Sequence, residues 1–345
     1  MPGEAFAVRH LAGTKLRGWL VMAGMTLLFF TGGAYSQTCL AAADMPSPLR
    51  SALELAAQRY FEMSAHGDAT GLRQNAIASL AASFGGVEAA VKDNAAAFAG
   101  ARATARPPFL LTADGPAALP RAEFLCGVFG PSGQTSQSAV FVLNNLPPGK
   151  YGVVILDVSG VKERRTLTLI LQQAGTDWKL AGYYARPTEA AGHNAAWYAE
   201  TARDYKKKSK NHNAWLYFRE AIALSSPVDF MSTLASDKLY DEAQSVQRAD
   251  MPANGNAVDL SAAGQTYRIT EVFPLAVGND LDVVVKFSST DISNTQKTFQ
   301  DNMAVIKALV TKYPELREAF AGVVARAVAP SGQDYGSMLP MKEIK

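Results

Sequence analysis

Four histidines, two cysteines and one pair of nearby carboxylates are the residues whose types could do chemistry. His10 lies in a leading basic and apolar segment, and His66 stands at a helix end beside Gly67. His193 and His212 sit in an echo, His193-Asn194-Ala195-Ala196-Trp197 and His212-Asn213-Ala214-Trp215. Both precede expected helix starts. Two antiparallel helices begin at opposite ends, and no third ligand follows at a zinc-type spacing, so joint metal ligation is not expected. Asp157 and Glu163 lie close enough in sequence to suggest an acid and base pair, but a strand end and a turn account for both. There is no H-E-x-x-H, G-x-S-x-G or Walker loop. Phe129-Gly130-Pro131-Ser132-Gly133 reads as a hairpin turn. Trp178, Tyr183 and Tyr184, on one alternating strand, either line a cavity or fill a core. The sequence therefore assigns no catalytic residue, no metal ligand and no cofactor, and leaves ligand-binding residues unassigned.

The N-terminus speaks to compartment. Arg9, Lys15 and Arg17 precede the apolar run 19–30, and small residues follow at Ala34-Tyr35-Ser36 and Ala41-Ala42-Ala43. This is the pattern of a secretory signal within residues 1–43, cut after Ser36 or after Ala43. The body is then exported, periplasmic or secreted. The alternative is an uncleaved anchor in the cytoplasmic membrane with the body outside, since no charge falls between Arg17 and Asp44. Cys39 follows Ser36-Gln37-Thr38, which does not match a lipobox. Cleavage after Ser36 would leave Cys39 free to pair with Cys126 in an oxidising compartment. Cleavage after Ala43 would leave Cys126 alone in an apolar strand, as a small buried hydrophobe. Without residues 1–43 the chain carries 30 basic and 30 acidic residues. That neutrality argues against nucleic acid as a partner. Membrane contact is expected only through the N-terminal segment, if it stays uncleaved.

Residues 151–187 hold the clearest structural pattern. Val153, Val154, Ile155, Leu156 and Val158 form one apolar run, ended by Ser159-Gly160. Leu167, Leu169 and Leu171 alternate with Thr166, Thr168 and Ile170. A third strand enters through Gly175-Thr176-Asp177 and ends at Pro187. These read as three antiparallel strands. Two more strands are expected over 121–129 and 139–143, with a turn over 144–150. Residues 44–100 read as helices over 48–65, 69–84 and 87–98, with Gly85-Gly86 ending the second, and 101–120 as a loop. Helices followed by an antiparallel sheet argue an α+β class. The composition, 48% hydrophobic and 19% charged, leaves room for sizeable cores across 345 residues.

The phrase Asp177-Trp178-Lys179-Leu180-Ala181-Gly182-Tyr183-Tyr184 resembles the last strand of nuclear-transport-factor-2-like proteins. Over about residues 48–187 the resemblance implies a cone, a curved sheet wrapped around a helix with a pocket at its open end. The Asp/His pair used by that fold's enzymes has no counterpart here, so the resemblance implies a fold and no active site. A β-sandwich beside a helical hairpin is the competing picture. Further on, Tyr198, Ala202, Tyr205, Ala214, Phe218 and Ala221 have a spacing that resembles a single tetratricopeptide repeat. One copy cannot build a solenoid, so a helical hairpin within 189–252, capped by a helix over 228–247, is expected to bracket its neighbours. Lys206, Lys207, Lys208 and Lys210 suit the C-terminal dipole of its first helix. Residues 253–256 read as a linker. Strands over 266–276 and 281–287, a helix over 294–313, and strands over 319–328 and 335–339 would make a small β-β-α-β-β unit.

Two functions fit. One is a non-enzymatic envelope protein that binds a protein partner or a small apolar ligand. The other is an exported hydrolase- or isomerase-like enzyme, which needs an acid or base inside the first domain.

Overall fold

The computed structural model describes residues 36–129, 133–160, 164–253 and 255–345. The basic and apolar N-terminal segment with His10, the 130–132 turn and Glu163 lie outside the described residues. Helix and strand hold equal shares, 37% each, in predominantly antiparallel sheets, so the class is α+β.

The first unit has three layers. Strands β1 (Ser36–Leu40), β2 (Arg102–Ala105), β3 (Phe109–Asp114), β6 (Gly149–Ser159), β7 (Arg165–Ala174) and β8 (Asp177–Pro187) form a six-stranded sheet. Its order is β1-β3-β6-β7-β8, with β2 also on β6. Helices α1 (Ser47–Ala65), α2 (Ala69–Gln74), α3 (Ala78–Ala82) and α4 (Gly85–Phe98) accompany it. Leu53, Tyr60, Phe61 and Phe98 from these helices share one core with Leu156, Leu167, Leu169 and Leu171. A second core joins the opposite sheet face, through Phe109, Leu111, Val153 and Ile170, to β4 (Leu119–Cys126) and β5 (Ala139–Leu146). The alternation in β7 thus separates two buried faces, not core from solvent; Thr166 and Thr168 are buried as well.

Several expectations need correction. The loop over 101–120 contains β2 and β3, because Arg102 to Ala105 and Phe109 to Ala113 both find open partners on β6. The helix over 69–84 is broken into α2 and α3. There, the Ile77 amide donates to Leu180 O and the Leu180 amide to Asn75 O, so sheet hydrogen bonds replace helical ones. Gly85 and Gly86 open α4 and do not close the helix before it. Cys39 and Cys126 are joined in a disulfide that ties β1 to β4.

After β8, two short strands, β9 (Glu189–Ala190) and β10 (His193–Asn194), lead into α5 (Ala195–Lys207) and α6 (Asn211–Ser225). Asn194 caps α5 by accepting from the Trp197 amide at 3.0 Å. The capping helix begins at Leu234, not at 228. Residues 228–233 first cross back, and β11 (Met231–Ser232) adds to β5. Thr233 and Ser236 then form a capping box for α7 (Leu234–Val246).

The C-terminal sheet runs β12-β13-β14-β15-β16: β12 (Val258–Ala262), β13 (Gln265–Val277), β14 (Asp280–Ser288), β15 (Gly322–Val328) and β16 (Asp334–Pro340). Helix α8 (Thr295–Lys312) is the crossover between the parallel neighbours β14 and β15. Strand β12 was not expected from the sequence, because Val258-Asp259-Leu260-Ser261-Ala262 is short and half polar. Tyr198, Trp215 and Phe218 of the hairpin share one core with Val272, Val283, Ile306 and Val323. Among the described residues, no helix is long and apolar enough to cross a membrane.

Candidate functional site

Helix α6 has too much apolar surface for one neighbour. Residues from Asn213 to Phe218 are buried without a break, so the helix is surrounded over its first turns. Its later turns carry Arg219 and Glu220 inside the otherwise apolar run 214–224. There α6, α7, β13 and the residues Pro252, Ala253 and Gly255 line an open cleft of about 860 Å³. Arg186 from the end of β8 and Met231 from β11 also line it, so all three parts of the chain contribute. Clefts of this size at domain junctions are where small ligands are held.

The cleft's polar groups have distinct states. Strand β12 covers β13 only as far as Ile269, so the Val272 carbonyl lacks a strand partner on that side. Arg219 Nη1 donates to it at 2.6 Å. The same guanidinium lies 4.9 Å from the Trp215 ring centroid, a cation–π geometry. Burial draws its pKa down from the ordinary arginine range. Pro274, further along this uncovered stretch, has no N–H to offer, which resists addition of a foreign strand. Arg186 Nη2 pairs with Asp229 at 2.6 Å and holds that carboxyl below its usual range. Glu271 pairs with Lys286 at 2.8 Å.

Glu220 differs from these. Among the described residues it forms neither an ion pair nor a side-chain hydrogen bond, although it lines the cleft. Arg219, its chain neighbour, cannot reach around to it, because adjacent helical residues diverge by about 100°. Burial raises the Glu220 carboxyl to about 7, with Arg219 acting in the opposite sense.

The residues singled out from the sequence lie elsewhere, and in separate places. His193 stacks on Trp197 at 3.6 Å, lining a smaller cleft with Phe320. His212 is fully engaged: Nδ1 meets Glu315, and Nε2 lies 3.1 Å from Asp250 Oδ1. His66 Nδ1 lies 2.7 Å from Glu62 O, and Asp157 is paired with Arg106 at 2.7 Å. Trp178 and Tyr183 fill core, while Tyr184 is 38% exposed and meets Phe230 edge-on. In the lysine run, Lys207 pairs with Asp204, and Lys206 donates to Ser245 Oγ. Lys210 pairs with Glu318.

In the first domain, α1 and the sheet touch closely at Gly152. A Cβ on Gly152 would stand 2.2 Å from Leu53 Cδ2. Sequence inspection missed Arg219 and Glu220. The available signal was an adjacent charged pair within Ala214-Trp215-Leu216-Tyr217-Phe218-Arg219-Glu220-Ala221-Ile222-Ala223-Leu224, where a buried helix has no cheap place for charge. No family model, no curated protein and no solved structure matches the chain. The two family resemblances therefore bring no site residue with them.

Proposed function

We propose that this is an exported cell-envelope protein that acts by binding, with a small ligand held in the junction cleft between α6, α7 and β13. The observation carrying this reading is the cleft itself, about 860 Å³ and lined from three parts of the chain, with Ile222, Met231 and Phe273 beside the polar groups. A core-forming helix that keeps a carboxyl without a partner in such a cleft gives up stability there, which is the usual mark of a site kept for a ligand.

Export rests on the basic and apolar N-terminal segment together with the Cys39–Cys126 disulfide. The signal is cut after Ser36. Cutting after Ala43 would remove β1, its pairing with β3, and Cys39. It would also remove Gln37, whose Oε1 accepts from the Glu123 amide at 2.6 Å, and the buried Ala42. The enzymatic alternative had required an acid or base inside the first domain. The partnerless carboxyl instead lies at the junction, where a binding role needs no further group.

Native mass spectrometry of the protein from its own envelope fraction tests this reading, with a denatured mass alongside. The expected result is a chain beginning at Gln37 with an added small-molecule mass, lost in Ala223→Trp, which places a large side chain in the cleft. A bare mass for both proteins under gentle conditions would overturn the cleft as a binding site. A chain beginning at Asp44 would overturn the processing site.

A further inference from the structure

We infer that the junction cleft takes a small organic ammonium, an apolar body carrying a primary or secondary amine, with the ammonium seated against Glu220. The inference rests on the cleft being the binding site and adds the chemistry of what it binds.

Charge complementarity argues for a cation. The cleft is lined by four carboxylates, Glu220, Asp229, Asp237 and Glu271, against two guanidiniums, Arg186 and Arg219. Asp229 and Glu271 already have cations, at 2.6 and 2.8 Å. Asp237 is exposed in the first turn of α7, where the helix dipole suits it. Arg219 is turned away, toward Val272 O and the Trp215 ring. Glu220 is left as the one half-buried carboxyl with no partner, and its oxygens keep an opening to the cleft. A carboxylate ligand would arrive beside this acid excess and find both guanidiniums engaged. An ammonium would bring the missing charge and up to three donors to an acceptor that now has none.

The rest of the cleft suits an apolar body. Ile222 and Phe273 are partly buried along its walls, and Tyr240 is 51% exposed at its rim. The volume falls in the range that holds a drug-sized molecule, roughly 300–1,000 Å³.

Binding should also release protons. The charged and titratable groups near Glu220 are Arg219, the next residue of its own helix, and Tyr198 from α5; Arg186, Asp229, Asp237 and Glu271 line the same cleft. Burial favours its neutral form, and an ammonium favours the carboxylate, so the carboxyl gives up its proton as the cation enters.

The test uses the full mature, oxidised chain and three probes of one shape: 2-phenylethylamine, 2-phenylethanol and 3-phenylpropionate. Calorimetry at pH 6 in buffers of different ionisation enthalpy reads affinity and proton release together. The amine is expected to bind at least tenfold more tightly than the alcohol and to release protons. Glu220→Gln should erase both the preference and the release while the far-ultraviolet spectrum stays unchanged. Tighter binding of the propionate, or an amine preference that survives Glu220→Gln, would overturn the ammonium inference. Equal binding of all three probes, abolished by Ala223→Trp, would also overturn it but would leave the cleft standing as a binding site. Absence of binding by every probe would overturn the ammonium inference alone, because the native mass of the envelope-purified protein decides the cleft separately.

Discussion

Between α1 and the six-stranded sheet, Leu53 reaches so far across that Gly152 has no room for a methyl group. Tyr60 is fully buried there, and its hydroxyl donates to Trp178 O at 2.9 Å. Further along the chain, α6 is buried without a break from Asn213 to Phe218 and then holds Arg219 and Glu220 at an open cleft. The first region pairs its polar groups internally apart from the Tyr183 hydroxyl, and packs closely. The second leaves a carboxyl without a partner and stays open. The two regions thus differ less in packing density than in whether a polar group is left without a partner.

Breaking the closed region should produce the largest effect. Replacing Cys39 and Cys126 together with alanine removes a crosslink spanning 87 residues of sequence. The loss should be on the order of 3–5 kcal/mol, read as a lowered denaturant midpoint. An unchanged midpoint would mean that β1 is not part of the folded core. Gly152→Ala should cost about 1–3 kcal/mol in urea unfolding, because the buried Leu53 side chain must move to admit the methyl group. A neutral result would mean that Leu53 can give way at Gly152, and the contrast with the cleft would weaken.

The open region should respond with the opposite sign. The Glu220 carboxyl is raised in the folded chain, from 4.5 to about 7. The native state then binds the proton more tightly than the unfolded state, so Glu220 lowers stability as pH rises from about 4.5 to 7. Glu220→Gln should remove that decline and make the protein more stable above pH 7, by about 2–3 kcal/mol at most. Thermal melts at pH 5 and pH 8 measure it, and a variant less stable at pH 8 would mean that the carboxyl has a partner after all.

The smallest effect tests the exception within the closed region. The Tyr183 hydroxyl is buried without a hydrogen bond. Its polar neighbour, Ser64, donates to Tyr60 O at 2.8 Å. Tyr183→Phe should be neutral or stabilising by up to about 1 kcal/mol. A loss above 1 kcal/mol would show that this hydroxyl is satisfied in solution.

Much of the fold was legible because its signals are local. The alternating Leu167, Leu169 and Leu171, the turn at Gly175-Thr176-Asp177 and the long helix ahead of Pro314 all declare themselves within a few residues. What was not legible depended on distant partners. Strand β2, Arg102-Ala103-Thr104-Ala105, has no strand pattern of its own and exists because β6 offers an edge at 156–159. The 228–233 segment looked helical, yet Met231 and Ser232 pair with Phe141 and Val140. The site was harder still: Arg219 and Glu220 look like a solvated helix face until the elements around them are known.

By itself the sequence determined the class of the fold, the three strands β6, β7 and β8 of the central sheet, the helical hairpin and the N-terminal pattern that suggests export, because each follows from side-chain period, turn chemistry or composition over a short window. Only the tertiary structure decided that Cys39 meets Cys126, that His193 and His212 serve different neighbourhoods, and that Glu220 faces a cleft without a partner. Those outcomes depend on which surfaces meet across 30 to 100 residues of chain. Partnership and burial, unlike propensity, are properties of the assembled core and of no single segment.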